Sequence, residues 1–217
     1  FSFVGNRLMI ARERQAGALL AEGALPDQID RVLREFGLPM GTFELQDMAG
    51  GIELNYRARQ GSGEKDFIID RLFELGRLGQ KTGKGYYAYD PTSRKPRLDP
   101  EAIAVFEAAS QAQGIKRRTF TDEELRDRLI LPMINEAAKL IEEGIVIRPS
   151  DIDVVWQNGY GWPNWKGGPV YWADRVGART IYERLSALEN HGAAYRPSAL
   201  LARLARDGGS LLATKAG

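Results

Sequence analysis

Residues 128–144 read RLILPMINEAAKLIEEG, and residues 7–23 read RLMIARERQAGALLAEG. At an offset of 121 positions (128 − 7), six of the 17 paired residues are identical. After a two-residue insertion the correspondence continues with Pro26 and Pro149 and with Asp30 and Asp153, and further on Gly41 corresponds to Gly168 and Asp47 to Asp174. A period this long describes one domain-sized unit used twice, whereas a solenoid repeats every 20 to 50 residues or so. The sequence therefore predicts a tandem duplication.

Both copies carry the patterns of helices. In the first copy, apolar residues recur on one face over residues 6–22, and Gly23 follows as a typical left-handed helix stop. In the second copy, a long helix is expected to end at Gly144 and to kink at Pro132, whose ring clashes with a carbonyl one turn back. Only residues 86–89 have an extended pattern. The predicted fold class is therefore all-α, with two tandem repeated helical domains.

The domain boundaries follow from the repeat and from composition. Residues 1–95 form the first predicted domain and residues 115–217 the second. Residues 96–114 are predicted to be a linker and connecting helix, because prolines cluster near their start. The chain begins at Phe1 and runs straight into a helical pattern. We therefore expect it to be an internal part of a longer polypeptide, and a processed mature N-terminus is the alternative.

Composition excludes several classes of function. The 217 residues carry 30 basic and 29 acidic side chains, a net charge of +1, so nothing indicates a nucleic-acid or anionic-membrane partner. No apolar run approaches the roughly 20 residues of a membrane-spanning helix. Without cysteine there is no disulfide framework, cysteine nucleophile or thiolate metal site. The carboxylates form no cluster, so no metal site is predicted, and the only histidine, His191, is expected at the surface.

Three features carry candidate chemistry. Residues 79–85 (GQKTGKG) fall one residue short of a phosphate-binding loop, although Lys81 or Lys84 can still meet a phosphate or ribose as a simple cation. A solvated basic turn is the alternative there. Asn6 can cap the first helix, or it can project forward and donate to a substrate carbonyl or hydroxyl. The four tryptophans, all within residues 156–172, either line an acyl slot or pack the interior, and packing is favoured.

Several of these segments resemble L-3-hydroxyacyl-CoA dehydrogenases. The first copy carries FVGNR at 3–7, GLPMGTFELQD at 37–47 and KTGKGYY at 81–87, in the order and spacing of that family. The second copy resembles the repeated C-terminal domain of the multifunctional β-oxidation enzymes, in which an enoyl-CoA hydratase precedes the dehydrogenase. Its matching segments are LPMINEA at 131–137, DID at 151–153 and KGGP at 166–169.

The resemblance implies a fold like the C-terminal domain of 6-phosphogluconate dehydrogenase. It implies that the chain is the C-terminal part of an NAD-dependent L-3-hydroxyacyl-CoA dehydrogenase of fatty acid β-oxidation, from a multifunctional hydratase/dehydrogenase. The family binds NAD mainly through a Rossmann domain that also holds its catalytic His and Glu. This sequence has no G-x-G-x-x-G after a strand and no candidate histidine. The Rossmann domain is therefore expected to be absent from it, and the isolated chain to be inactive.

Site residues carry over one by one. Asn6 matches the asparagine that contacts the substrate near the reacting carbon, and it is the expected catalytic residue of this segment. Pro39 and Met40 match a substrate-binding corner that faces the nicotinamide and the acyl group. Lys81 matches a lysine on the ribose side of NAD. Asn158 is expected to bind substrate, although the multifunctional branch often has a tyrosine at that position.

The resemblance also implies partners and a location. The partners are an acyl-CoA substrate, the polypeptide's own Rossmann and hydratase domains, and a thiolase. The location is the cytoplasm in a bacterium or the peroxisome in a eukaryote, with no C-terminal peroxisomal signal seen in the sequence.

Two alternatives remain open. The first is a non-enzymatic helical dimerisation or docking module whose aromatic turn is a protein interface. The second is a dehydrogenase acting on a short substrate such as 3-hydroxybutyryl-CoA. The tandem repeat argues against the second, because a single-copy domain pairs with another subunit whereas a duplicated domain can pair with its own copy.

Overall fold

The structure of this protein is a computed structural model, which describes residues 3–215. Phe1, on which the expectation of a longer polypeptide rests, lies outside them. The α-helices of the described part are α1 (Val4–Glu22), α2 (Pro26–Phe36), α3 (Thr42–Ala49), α4 (Gly51–Ala58), α5 (Phe67–Glu74), α6 (Pro100–Ala112), α7 (Asp122–Glu142), α8 (Pro149–Gly159), α9 (Pro169–Val176), α10 (Ala178–Ala187) and α11 (Ala199–Asp207). The predicted all-α class is confirmed.

The extended structure in the described part is one short hairpin. Strand β1 (Ala88–Tyr89) pairs antiparallel with strand β2 (Pro96–Arg97). The prediction of an extended segment ending at Tyr89 therefore agrees with β1. The second strand lies where the sequence predicted only an irregular linker, because a two-residue strand containing a proline carries no period-2 pattern to read.

The chain divides into two compact units. The first unit joins the start of the chain up to Gln15 to the segment from Glu123 onward, and the second unit is Ala16–Asp122. Helix α1 runs through this boundary, so its first turns belong to one unit and its remainder to the other. The boundaries predicted above follow the sequence repeat rather than packing, and they stay a prediction.

A buried carboxylate organises the corner between α2 and α3 in the second unit. Asp30 is fully buried, and its carboxylate accepts hydrogen bonds from the backbone N–H groups of Phe43 and Glu44, both at 3.0 Å, and from the Tyr87 hydroxyl at 2.7 Å. The two N–H groups belong to the first turn of α3, where backbone N–H groups have no acceptor within their own helix. Burial raises the pKa of Asp30 to about 6.

The first unit uses the equivalent residue in the same way. Asp153 accepts the backbone N–H groups of Val170 at 2.7 Å and Tyr171 at 3.1 Å, in the first turn of α9. A side chain on Gly168 would overlap the Asp153 side chain, and one on Gly41 would overlap that of Asp30. Gly41 and Gly168 are therefore needed to leave room for the aspartate that caps the helix following each of them, α3 and α9 respectively.

A second pair of repeat positions also shares one role. In the second unit, the Asp47 carboxylate accepts the N–H groups of Tyr86 and Tyr87 at 3.0 and 3.1 Å and the Tyr89 hydroxyl at 2.9 Å. In the first unit, Asp174 accepts two successive backbone N–H groups and one hydroxyl, which come from Leu211, Leu212 and Ser210. In each unit this carboxylate ties a later segment of chain to a short helix.

Candidate functional site

Asn6 is the residue around which the candidate site of the first unit is built. It is the third residue of α1, so it lies inside the first turn and not at the capping position. Its carboxamide oxygen Oδ1 accepts a hydrogen bond of 2.6 Å from the hydroxyl of Tyr160. The amide nitrogen Nδ2 has no hydrogen-bond partner among residues 3–215. That nitrogen is therefore free to donate to a ligand oxygen.

Tyr160 is held against Asn6 by packing on both sides. Its ring stacks on Trp156 with ring centroids 4.9 Å apart, and the Arg12 guanidinium lies 5.7 Å from the Trp156 ring centroid. On the other side, a side chain on Gly5 would overlap the tyrosine ring, so the glycine leaves room for it. Burial raises the pKa of Tyr160 above its ordinary value near 10, so its hydroxyl is protonated and able to donate at neutral pH, as an exposed tyrosine would also be.

Asn158, the predicted substrate-binding residue, faces elsewhere. It is exposed, and its Nδ2 donates to the carbonyl of Val154 in its own helix at 2.8 Å. Tyr160, two residues later at the C-terminal cap of α8, is the residue that contacts Asn6. Sequence reasoning missed Tyr160. The signal that could have found it is Gly5, because a glycine beside a functional asparagine indicates that another group approaches closely. Substrate binding by Asn158 stays a prediction.

The predicted corner at Pro39 and Met40 lies in the second unit. Helix α2 ends at Phe36, Gly37 adopts the left-handed conformation (φ 117°), and α3 starts after Gly41. Pro39 is exposed and Met40 is partly exposed, so both can meet a ligand. The Asp30 carboxylate holds the end of this corner where α3 begins.

Lys81, the predicted cofactor residue, also lies in the second unit. It belongs to a short 3-10 turn, Gln80–Thr82, and half of its side chain is exposed. Its Nζ pairs with the Glu53 carboxylate of α4, which also meets Arg57 at 2.6 Å. The hydrogen bond from Lys81 lowers the pKa of Glu53. Lys81 is therefore a positioned cation and not a freely solvated one, while Lys84 pairs with Glu101 at 3.4 Å.

The tryptophan-rich segment serves mainly to pack the first unit. Trp156 and Trp162 are fully buried and meet edge to face at 6.2 Å, and Trp172 meets Trp162 at 6.3 Å. Trp165 differs, since 73% of it is exposed. The packing interpretation therefore describes three of the four tryptophans.

Other kinds of site receive little support from the described residues. Within residues 3–215, no group of three His, Cys, Asp or Glu side chains lies close enough to hold a metal ion. None of the helices described is both long and apolar enough to span a bilayer. His191 lies partly buried in a 3-10 turn, with its ring 6.3 Å from that of Tyr195. A groove of about 370 Å³ in the first unit is lined mainly by α1 and α7, including Arg7, Arg14 and Lys139.

The chain is similar to one protein family and to several relatives of known name. The family model described as "3-hydroxyacyl-CoA dehydrogenase, C-terminal domain" matches residues 3–89 and residues 125–217. The chain is 40% identical over 204 residues to the peroxisomal bifunctional enzyme of Homo sapiens, which covers 85% of this chain and 28% of that protein. It is 36% identical over 217 residues to a peroxisomal fatty acid beta-oxidation multifunctional protein of Arabidopsis thaliana, covering 95% and 30% respectively. The chain thus spans less than a third of the length of these relatives.

Solved structures are also similar to the chain, two dehydrogenases among them. The dehydrogenase part of multifunctional enzyme 1 from C. elegans matches with a TM-score of 0.75 and 31% identity, covering 93% of this chain and 47% of that one. The 3-hydroxybutyryl-CoA dehydrogenase of Escherichia coli K12 matches with a TM-score of 0.68 and 22% identity, covering 94% and 59%. At the second level of identity, the likeness concerns the fold alone.

Proposed function

Because the chain belongs to the family of 3-hydroxyacyl-CoA dehydrogenase C-terminal domains, we propose that it forms the C-terminal part of an NAD-dependent L-3-hydroxyacyl-CoA dehydrogenase. We propose further that this enzyme is of the multifunctional β-oxidation type. The observation that carries the proposal is the double match of the family model, once to each copy of the repeat. Similarity to bifunctional and multifunctional β-oxidation enzymes supports it.

The reaction would oxidise the C3 hydroxyl of an L-3-hydroxyacyl-CoA to a ketone. NAD, when bound, supplies the acceptor for the hydride that leaves C3. The hydroxyl proton goes to a base outside this chain, in keeping with a lone histidine that lies partly buried beside Tyr195. The Asn6 amide nitrogen donates a hydrogen bond to the C3 oxygen and so fixes the C3–H bond in the direction of transfer. Such positioning is costly to disturb, because small displacements of reacting groups lower rates strongly.

The cofactor contact of this chain is proposed to be a limited one. The Lys81 ammonium and the Glu53 carboxylate together offer a donor and an acceptor, which fits the paired hydroxyls of a ribose. Within residues 3–215, no glycine-rich turn leads from a strand into a helix N-terminus, the arrangement that holds a pyrophosphate. We therefore propose that a Rossmann domain elsewhere in the polypeptide makes most of the contacts to NAD, and that Pro39 and Met40 face the nicotinamide and acyl group.

The wider assembly is part of the same proposal. The relatives are multifunctional enzymes whose names place them in peroxisomes. We propose that the complete polypeptide carries a hydratase domain as well, that it acts in the peroxisome if its source is a eukaryote and in the cytoplasm if it is a bacterium, and that it passes its product to a thiolase.

A direct test uses the complete polypeptide encoded by the gene. It should oxidise NADH when acetoacetyl-CoA is added, and Asn6→Ala should lower kcat about tenfold or more, since each factor of ten corresponds to about 1.4 kcal/mol of transition-state stabilisation. The melting temperature should change little, because Asn6 does not cap its helix. A polypeptide that folds, binds NADH and does not reduce acetoacetyl-CoA would overturn the proposed function.

One observation favours the docking alternative. Ile147, Val154 and Trp165 in the first unit are exposed by 88%, 55% and 73% respectively. Exposed apolar side chains mark an interface when they form one contiguous patch. If docking were the function, Trp165→Ala would abolish association with a partner. The wild-type polypeptide would then show no dehydrogenase activity at all.

A further inference from the structure

The hydrogen bond between Tyr160 and Asn6 joins two helices that lie far apart in sequence. We propose that Tyr160 is a positioning residue for the dehydrogenase reaction, because its hydroxyl occupies Oδ1 of Asn6 and thereby turns Nδ2 towards the substrate oxygen. The proposal rests on the function proposed above and deepens it: a residue of the second sequence copy would set the orientation of the asparagine in the first.

An asparagine side chain needs such a partner to present one defined end. Its carboxamide carries an acceptor oxygen and a donor nitrogen of nearly equal size, and rotation about its last bond is broad. A ketone oxygen or a developing alkoxide can only accept, so it is stabilised by Nδ2 and repelled by Oδ1. An unrestrained Asn6 would present the wrong end for part of the time.

The Tyr160 hydroxyl removes this ambiguity. Its oxygen lies 2.6 Å from Oδ1 of Asn6, and this is its only hydrogen bond among residues 3–215. If the carboxamide turned over, the phenolic proton would lose its acceptor in a partly buried place. An unsatisfied polar group there is unfavourable, so one orientation of the carboxamide is selected. The Tyr160 hydroxyl carries its proton throughout the neutral range, as any tyrosine with a pKa near 10 does, and burial raises that pKa further.

Tyr160 is itself held before any ligand arrives. Its ring stacks on Trp156, its backbone N–H bonds to the Trp156 carbonyl at 3.2 Å, and Gly5 leaves the space that the ring fills. Trp156 is fully buried, and the buried Arg12 lies over its ring. The hydroxyl therefore reaches Asn6 from a fixed platform, and no ordering cost falls on substrate binding.

A purely structural bond between the two helices would behave differently from a positioning bond. Losing a structural bond lowers the melting temperature and leaves the kinetic constants of the folded enzyme alone. Losing a positioning bond lowers kcat and leaves KM for acyl-CoA nearly unchanged, because most of the binding energy comes from parts of the substrate remote from C3.

The experiment measures NADH-dependent reduction of acetoacetyl-CoA by the complete polypeptide and five variants. Tyr160→Phe removes the hydroxyl and keeps the ring. We expect kcat to fall about tenfold, the loss that follows when the hydrogen bond from Asn6 to the developing charge on the substrate oxygen is weakened, while KM stays within about twofold. In an Asn6→Ala background, the same change should cause no further loss, because the group that it positions is gone. Gly5→Ala keeps both Asn6 and Tyr160 in the sequence but displaces the tyrosine ring, so it should lower kcat in the same way.

Tyr182→Phe is the matched control. Tyr182 lies on α10 in the same unit, and its hydroxyl makes no hydrogen bond among the described residues, so kcat should not change. The inference is overturned if Tyr160→Phe keeps the wild-type kcat, or if it lowers kcat as much in the Asn6→Ala background as in the wild type. A wild-type polypeptide that binds NADH but does not reduce acetoacetyl-CoA overturns the proposed function, and the inference with it. The active wild type separates the two failures.

Discussion

Asp30 should make the chain more stable as the pH falls from about 7 to about 5, the opposite of what a salt-bridged carboxylate does. Burial raises the pKa of Asp30 from 3.8 to about 6 in the folded state. The folded state therefore binds a proton before the unfolded state does. The stabilisation from this proton appears as the pH falls through about 6, and it is complete below the unfolded value near 3.8. At neutral pH Asp30 is ionised in both states, and its burial then lowers the free energy of unfolding by the same amount.

The size of the effect follows from the same two pKa values. One pKa unit corresponds to 1.36 kcal/mol, so the gain between about pH 7 and about pH 5 is on the order of 1 kcal/mol for Asp30 alone. Asp30→Asn removes the titration and keeps the shape. It also leaves one of the two α3 backbone N–H groups facing an amide nitrogen, which costs about 1–3 kcal/mol at every pH. The free-energy difference between wild type and variant should therefore widen by about 1 kcal/mol as the solution is acidified.

Urea unfolding of the 217-residue chain, followed by circular dichroism at several pH values, measures this difference. Asp153→Asn should give a curve of the same sign, because burial also raises the pKa of Asp153 to about 6. The exposed Asp207→Asn, at the end of α11, is the control for replacing an aspartate by asparagine. If Asp30→Asn keeps the full pH dependence of the wild type, then the buried carboxylate is not the group that titrates and the reasoning fails.

Further predictions concern the second unit and the isolated chain. Gly41→Ala should destabilise the chain by about 2–4 kcal/mol, since the added methyl displaces Asp30 and with it the cap of α3; in urea unfolding, Gly50→Ala, whose added methyl meets open space, should cost only the strain of its left-handed backbone, about 1–2 kcal/mol. Glu53→Gln in the complete polypeptide should raise KM for NADH severalfold by releasing Lys81, and an unchanged KM would argue against a cofactor role for that lysine. The 217-residue chain alone should show no saturable NADH binding by fluorescence, and a measurable affinity would contradict the assignment of the cofactor site to another domain.

The repeat allowed the sequence to anticipate the pairs of aspartates and glycines. An aspartate that reappears ahead of a glycine in both copies indicates a shared local task, even though Gly41 lies 11 positions after Asp30 and Gly168 lies 15 positions after Asp153. Asp30 and Asp153 perform that task at the N-termini of α3 and α9. Helical periodicity gave the class for the same reason, since it depends on residues three and four apart. Both predictions depend on residues that lie close to one another in the sequence.

The contacts that matter most for the site are not local, and this explains what the sequence missed. Lys81 reads as a solvated cation because its partner, Glu53, lies 28 residues away. The unit boundary inside α1 could not be read either, since a continuous helical pattern does not say which neighbours each turn packs against.

The aromatic partner of Asn6 shows the limit most clearly. Asn158 and Tyr160 are two residues apart at the end of α8, and a resemblance by position selected the first. On a regular helix, residues two apart point in different directions, and beyond the last turn even that rule stops applying. The backbone at the cap therefore decides which side chain meets α1, and it brings Tyr160 to Asn6 while Asn158 returns to the carbonyl of Val154. Gly5 is consistent with this arrangement, because a side chain at that position would overlap the Tyr160 ring. A glycine next to a candidate catalytic group is thus evidence for a third residue, whose identity has to come from the fold.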